Sequence, residues 1–130
     1  MKRIDHVGIA VPDLPAARAL WDALTGQQPE TEEVAGQKVR AATYPCGIEL
    51  IEPLAPDSPV SRFLERRGSG IHHVTIEVAD LAGHLARLDA AGVPLVHREP
   101  VTGAGGHKVA FLHPKAAGGV LVELKETSHE

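Results

Sequence analysis

The sequence predicts an α+β fold built from two tandem βαβββ modules, and two observations carry this prediction. Residues 4–14 recur 67 positions later as residues 71–81, and seven of the eleven positions are identical. Each copy is followed by a helical pattern and then by three short extended segments. A repeat of this kind indicates one supersecondary unit used twice, and the runs of three strands argue against a doubly wound parallel sheet.

The first module, about residues 3–54, begins with a strand whose alternate residues separate an apolar face from a face that carries His6. Asp13 is predicted to cap the next helix, which has apolar residues at helical spacing as far as Gly26. This helix should cover the apolar face of its strand, which leaves His6 on the opposite side. Three extended segments complete the module, at residues 32–34, 38–44 and 47–51.

The second module, about residues 70–126, repeats this layout after a linking helix at about residues 57–68. Asp80 is the predicted cap of its helix, and Gly92 is the predicted stop. Its extended segments are predicted at residues 95–98, 108–112 and 120–124. Residues 1–130 are therefore expected to form a single domain.

Composition and charge exclude several classes of function. The net charge of −4 and the lack of a basic stripe argue against nucleic acid as a partner. No run of 18 apolar residues could cross a membrane, and the first residues lack an apolar signal segment, so we expect a cytoplasmic protein. Cys46 is the only cysteine, which rules out an internal disulfide or a cysteine-cluster metal site.

The repeat also selects four residues with metal-binding side chains. His6 and His73 occupy equivalent positions in the first strands of the two modules, and Glu49 and Glu123 do so in the last strands. All four are predicted on the face opposite the apolar one, and they would converge if the modules pair about a pseudo-twofold axis. Two imidazoles and two carboxylates suit Co²⁺, Ni²⁺, Zn²⁺, Fe²⁺ or Mn²⁺ and leave two positions of an octahedral sphere open. His72 does not share this repeat position, so we expect it to support the structure or the ligands.

Several motifs lie along residues 4–126, and their positions are residues 5–14, 48–54, 57–59, 70–74, 103–106, 111–115 and 118–124. With these motifs the chain resembles the vicinal oxygen chelate superfamily and, within it, the methylmalonyl-CoA epimerases. The last two motifs, which include the turn His113-Pro114-Lys115, are the most specific. The resemblance implies the vicinal oxygen chelate fold, a cupped mixed β-sheet with helices on its outer face, and it favours a homodimer.

The resemblance implies an isomerase of propionate metabolism that interconverts the (R) and (S) forms of methylmalonyl-CoA by removing the α-proton. A divalent metal ion, most simply Co²⁺ and otherwise Ni²⁺, Zn²⁺ or Mn²⁺, would stabilise the enolate. The family's ligands fall on His6, His73 and Glu123, with Glu49 where the family has Gln or Glu. We expect Glu123 and Glu49 to be the two bases. Arg40 stands where some members have a carboxylate, so the resemblance leaves the second base open.

The phosphates of a CoA thioester need local hydrogen-bond donors in a chain that is acidic overall. Lys108 and Lys115, with the backbone amides of Gly105 and Gly106, are the predicted substrate-binding residues.

Three alternative functions share the predicted fold. A glyoxalase I-like lyase would act on glutathione thiohemiacetals, but the turn at His113-Pro114-Lys115 favours a CoA ester. An extradiol dioxygenase needs only two His and one Glu around Fe²⁺. A binding protein of the bleomycin-resistance type needs no metal, and the presence of all four ligand-type residues speaks against it.

Overall fold

The computed structural model describes residues 3–127 of the chain. These residues divide into two compact units. One comprises residues 6–72, and the other comprises residues 73–127 together with residues 3–5. Among the described residues, the helices are too short or too polar to traverse a lipid bilayer.

The described residues form eight strands and three helices. In chain order they are β1 (Arg3–Ala10), α1 (Leu14–Thr25), β2 (Glu30–Val34), β3 (Val39–Thr43), β4 (Ile48–Pro53), α2 (Pro59–Arg67), β5 (Gly70–Val78), α3 (Leu81–Ala90), β6 (Val101–Thr102), β7 (Lys108–Phe111) and β8 (Leu121–Glu126). Two 3₁₀ turns flank β7, at Ala104–Gly106 and Pro114–Ala117. This order confirms the predicted pair of βαβββ modules joined by a helix, and the mixed strand directions confirm the predicted mixed sheet.

In the unit of residues 6–72 the strand order is β2-β3-β4-β1. β1 runs parallel to β4, whereas β3 is antiparallel to both of its neighbours. Helix α1 packs on one face of these strands, in the buried cluster Val11, Leu14, Ala42, Tyr44 and Leu50. Helix α2 packs on the other face, in the buried cluster Ala10, Val39, Ala41, Ile51 and Val60. Ala10, which shares the face of His6 on β1, therefore packs in the α2 cluster, whereas His6 itself is half-buried.

The second unit has the strand order β5-β8-β7-β6. β5 and β8 are parallel, and β7 is antiparallel to both β8 and β6. Helix α3 packs on one face of these strands, in the buried cluster Val78, Leu81, Leu85, Ala110 and Leu124. In each unit the first and last strands of the module are parallel, and the last strand is antiparallel to its other neighbour. The two units therefore have the same strand arrangement, as expected for a repeated βαβββ module.

The predicted caps of the repeated helices are confirmed. The Asp13 side chain accepts a hydrogen bond from the Ala16 amide at 3.2 Å, and α1 ends at Gly26, whose φ of 66° is left-handed. The Asp80 side chain accepts in the same way from the Gly83 amide at 3.1 Å. These bonds satisfy amides that have no partner within the helix, so each helix begins where its aspartate stands.

The predicted strand at residues 95–98 was wrong. This segment makes a single bridge, Leu95 to Leu112. The first of the three strands that follow α3 is instead Val101–Thr102, which pairs with β7. The amides of Val96 and His97 both donate to the carbonyl of Phe111, so the segment crosses the end of β7 instead of running beside it. Prolines at positions 94 and 100 have no amide hydrogen to give to a ladder, which favours this short crossing.

Candidate functional site

The first predicted pair of site residues lies in the unit of residues 6–72. Gly8 of β1 stands opposite Glu49 of β4, and His6 is two residues before Gly8, so His6 and Glu49 project from the same face. His6 Nε2 lies 3.6 Å from Glu49 Oε1, and the two side chains are only 14% and 17% exposed. The Thr43 hydroxyl lies 3.4 Å from the other oxygen of Glu49. The His6 imidazole and the Glu49 carboxylate are therefore adjacent and largely buried.

The second predicted pair lies in the unit of residues 73–127. Thr75 of β5 stands opposite Glu123 of β8, and His73 is two residues before Thr75. His73 and Glu123 are each 8% exposed, and Thr75 is fully buried. The Thr75 hydroxyl donates to Glu123 Oε1 at 2.6 Å. The histidine-to-glutamate register is thus the same in both units, although only the second has a hydroxyl between the two strands.

The donor types fit a divalent transition metal. His73 and Glu123 project from one face of the second unit, and His6 and Glu49 project from one face of the first. Two imidazole nitrogens and a carboxylate oxygen are the ligands of several Zn²⁺ sites and of non-haem Fe²⁺ sites, and imidazole also suits Co²⁺ and Ni²⁺. The role of Glu49 as a fourth ligand stays a prediction.

Arg40 points away from this face. It pairs in the β3–β4 ladder with Glu52, whereas Thr43 is the residue opposite Glu49. Its guanidinium donates to Glu33 at 2.8 Å and lies 3.4 Å from a Glu52 oxygen, and the bond to Glu33 raises the pKa of Arg40. Arg40, which the resemblance sets where some family members have a carboxylate, is therefore held in an ion-pair cluster on the opposite face.

His72 lies on β5 next to His73 and is half-buried. Its ring meets the Phe63 ring of α2 edge-on, with 5.1 Å between centroids. Burial lowers the pKa of His72, which favours the neutral imidazole. These contacts agree with the structural role that we predicted for this residue.

The predicted substrate-binding residues lie around β7. Lys108 projects from the same face as Ala110, which packs against α3, so it is on the side opposite Glu123 and lines an open groove of about 680 Å³ with Arg98. Lys115 is exposed in the turn Pro114–Ala117. Gly105 and Gly106 have φ values of 68° and 76° in the turn that precedes β7, where other residues would be strained. The structure therefore gives the two lysines different surroundings.

Two threonines of the site were missed by the sequence reasoning. Thr75 follows His73 by two residues and so shares its face, which is a signal that strand alternation alone provides. Thr43 could not be found in this way, because its place opposite Glu49 depends on the register of an antiparallel pair.

Comparison with known proteins shows which family this chain resembles. The family description "Glyoxalase/Bleomycin resistance protein/Dioxygenase superfamily" matches residues 5–111. The chain is 43% identical over 130 residues to an ethylmalonyl-CoA/methylmalonyl-CoA epimerase of Cereibacter sphaeroides, a match that covers 95% of this chain and 97% of that protein.

Solved structures of methylmalonyl-CoA epimerases are also similar to this chain. The methylmalonyl-CoA epimerase of Mycobacterium tuberculosis is similar with a TM-score of 0.89 and 37% identity, over 98% of this chain and 89% of that one. A methylmalonyl-CoA epimerase in complex with methylmalonyl-CoA and NH₄⁺ is similar with a TM-score of 0.89 and 36% identity, over 98% of this chain and 96% of that one.

Proposed function

Because the chain belongs to the glyoxalase/bleomycin resistance protein/dioxygenase superfamily and, within it, to the methylmalonyl-CoA epimerases, we propose that it interconverts the (R) and (S) forms of methylmalonyl-CoA. It is then an isomerase, of the racemase and epimerase type. The observation that carries the proposal is that each unit brings a histidine and a glutamate together on one face. Imidazole and carboxylate ligands suit a divalent ion, and such an ion stabilises negative charge that develops on oxygen.

The chemistry sets two requirements for the site. A proton must leave the carbon between the thioester and the carboxylate, and it must return on the opposite face of that carbon. A divalent ion bound by His6, His73 and Glu123 would act as a Lewis acid for the charge that develops on the thioester oxygen. The chain must also supply groups that accept and return the proton, a contribution of about 10²–10⁴-fold.

Glu123 and Glu49 are the carboxylates that we assign to proton transfer. They are the last-strand glutamates of the two modules, so they could address opposite faces of the substrate carbon. Both are sheltered, since Glu123 is 8% exposed and the Glu49 side chain 17%. His6 and Thr43 lie against the Glu49 carboxylate and would orient it.

For the CoA part of the substrate we propose Lys115, Lys108 and the amides of Gly105 and Gly106. The turn that carries Lys115 is ordered by His113, whose Nδ1 accepts the Lys115 amide hydrogen at 3.1 Å. Lys108 and Arg98 line one groove together with the carboxylates of Asp89 and Glu99, and the Lys108 ammonium is the group that we assign there to a phosphate.

Three further properties are proposed with this function. Co²⁺ is the preferred ion, with Ni²⁺, Zn²⁺ or Mn²⁺ as substitutes; metal analysis of purified protein tests this. The chain forms a homodimer, and sedimentation equilibrium tests that. The reaction takes place in the cytoplasm, where cell fractionation should find the activity.

The decisive experiment follows solvent deuterium at C2 of methylmalonyl-CoA by NMR. Protein treated with a chelator is compared with the same protein reconstituted with Co²⁺. We expect exchange with Co²⁺ and little exchange without it. No exchange in either sample would contradict the epimerase proposal, and glutathione thiohemiacetals would then be the next substrates to test.

Matched variants distinguish the carboxylates proposed for proton transfer from other carboxylates on the same strands. Glu123→Gln and Glu49→Gln should each lose exchange by about 10²-fold or more, because each removes a proposed base. Glu126→Gln and Glu52→Gln are the controls, since they alter carboxylates on the same two strands that bind helix amides instead. Full exchange by Glu123→Gln with normal metal content would refute the assignment of Glu123 as a base.

A further inference from the structure

A buried hydroxyl contacts the proposed ligand carboxylate of the second module. Thr75 is fully buried, and its hydroxyl donates to Glu123 Oε1 at 2.6 Å. This distance lies at the short end of the range of about 2.5–3.0 Å for a bond from a hydroxyl to an oxygen. Such a bond holds the carboxylate in one orientation.

The first module has no equivalent of this bond. The residue opposite Glu49 on the neighbouring parallel strand is Gly8, which has no side chain. Glu49 instead has the Thr43 hydroxyl of the antiparallel neighbour at 3.4 Å, at the long limit for a hydrogen bond. At equivalent positions of the repeat, Thr75 therefore gives a hydroxyl to its glutamate, whereas Gly8 has none to give.

We propose that Thr75 is a positioning residue that fixes the Glu123 carboxylate for the metal ion. This inference rests on the proposed function, because it requires that Glu123 is a ligand. The bond uses Oε1, so the orientation of the other carboxylate oxygen is set before the ion arrives. A ligand that is already oriented loses less conformational entropy on binding, and residues that orient metal ligands contribute about 10- to 100-fold to metal affinity.

A purely structural role for Thr75 would also satisfy its buried hydroxyl, so the test must measure the metal directly. Thr75→Val keeps the shape of the side chain and removes the donor. Thr75→Ser keeps the donor, and Thr75→Ala provides a second variant without a hydroxyl should valine disturb the core. Thr127→Val is the matched control, because the Thr127 hydroxyl lies 3.4 Å from a carboxylate oxygen of Glu77, which is not a proposed ligand.

Isothermal titration of each metal-free protein with Co²⁺ gives the affinity, and thermal unfolding of the same samples gives the stability without metal. We expect Thr75→Val and Thr75→Ala to bind Co²⁺ about 10- to 100-fold more weakly, Thr75→Ser to restore binding, and Thr127→Val to bind as the unaltered protein does.

The outcomes separate this inference from the proposed function. If the unaltered protein binds Co²⁺ and the valine and alanine variants bind it equally well, Thr75 has only a structural role and the inference is overturned. If Thr127→Val weakens binding as much as Thr75→Val, the effect is a general loss of stability, which also overturns it. If the unaltered protein does not bind a divalent ion, the proposed metal site fails as well.

Discussion

Glu52 offers a direct test of how each βαβββ module joins its helix to its last strand. Its Oε2 accepts the amide hydrogen of Leu14, the first residue of α1, at 2.8 Å. Glu126 stands at the equivalent place in the second module, where its Oε1 accepts from the Leu81 amide at 3.3 Å. Replacing Glu52 by alanine removes the acceptor and its charge, and it leaves the site carboxylates in place.

The expected loss of stability follows from the burial of this contact. Leu14 is 3% exposed and the Glu52 side chain is 15% exposed. Without the carboxylate, water would therefore be a poor substitute as the acceptor for the Leu14 amide. A hydrogen bond to a charged group contributes about 1.5–3 kcal/mol, and a negative charge at a helix N-terminus adds about 0.3–1 kcal/mol. We expect Glu52→Ala to lower the free energy of unfolding by about 2–3 kcal/mol. Glu52→Gln keeps an acceptor and should lose about 1 kcal/mol or less.

Urea unfolding at a fixed protein concentration measures both variants. The midpoint should fall by about 1 M for the alanine variant if the slope stays unchanged. Glu126→Ala provides the comparison, and its longer bond should make its loss smaller. A Glu52→Ala protein within about 0.5 kcal/mol of the unaltered one would refute the reasoning, because that is the range of ordinary surface substitutions. A larger loss for Glu126→Ala than for Glu52→Ala would refute the ranking of the two contacts.

Three further predictions concern the core, the pH dependence and the substrate. Leu85 of α3 is 1% exposed, so Leu85→Ala should lower the free energy of unfolding, measured in urea, by about 3 kcal/mol, and a loss below about 1 kcal/mol would contradict this packing. The buried Tyr44 hydroxyl donates to Asp22 and lowers its pKa, so Asp22 should contribute stability above its usual titration range and lose it as the pH falls through the lowered value. The stability difference between Tyr44→Phe and the unaltered protein should thus shrink from about pH 7 to about pH 2, and a constant difference would show that this charge plays no part. Lys115→Ala and Lys108→Ala should each raise the KM for methylmalonyl-CoA about twofold to fivefold with little change in kcat, the contribution of an exposed charge pair, whereas an unchanged KM in both would reject the proposed phosphate contacts.

Much of the fold could be predicted because its determinants are local. Asp13 and Asp80 start their helices through bonds to amides three residues on, and Gly26 ends α1 in a left-handed conformation. Interactions of this range can be read from spacing. The segment at residues 95–98 could not, because its extended pattern says nothing about which strand it would meet, and Val101–Thr102 took its place beside β7.

The candidate site divides in the same way. The repeat and the alternation of strands identified His6, His73, Glu49 and Glu123, since a period of two fixes which residues share a face. The repeat and the strand alternation could not predict the bond from Thr75 to Glu123, because these two residues are 48 positions apart in the chain.

The two modules, the starts of their repeated helices and the face on which each candidate ligand lies could thus be predicted from local patterns. The register between strands could not, and neither could the contact of Thr75 with Glu123 or that of Arg40 with Glu33 on the opposite face. The difference lies in the range of the interactions. Caps and strand alternation act within a few residues, whereas register depends on burying a whole apolar face at once, which no short segment specifies alone.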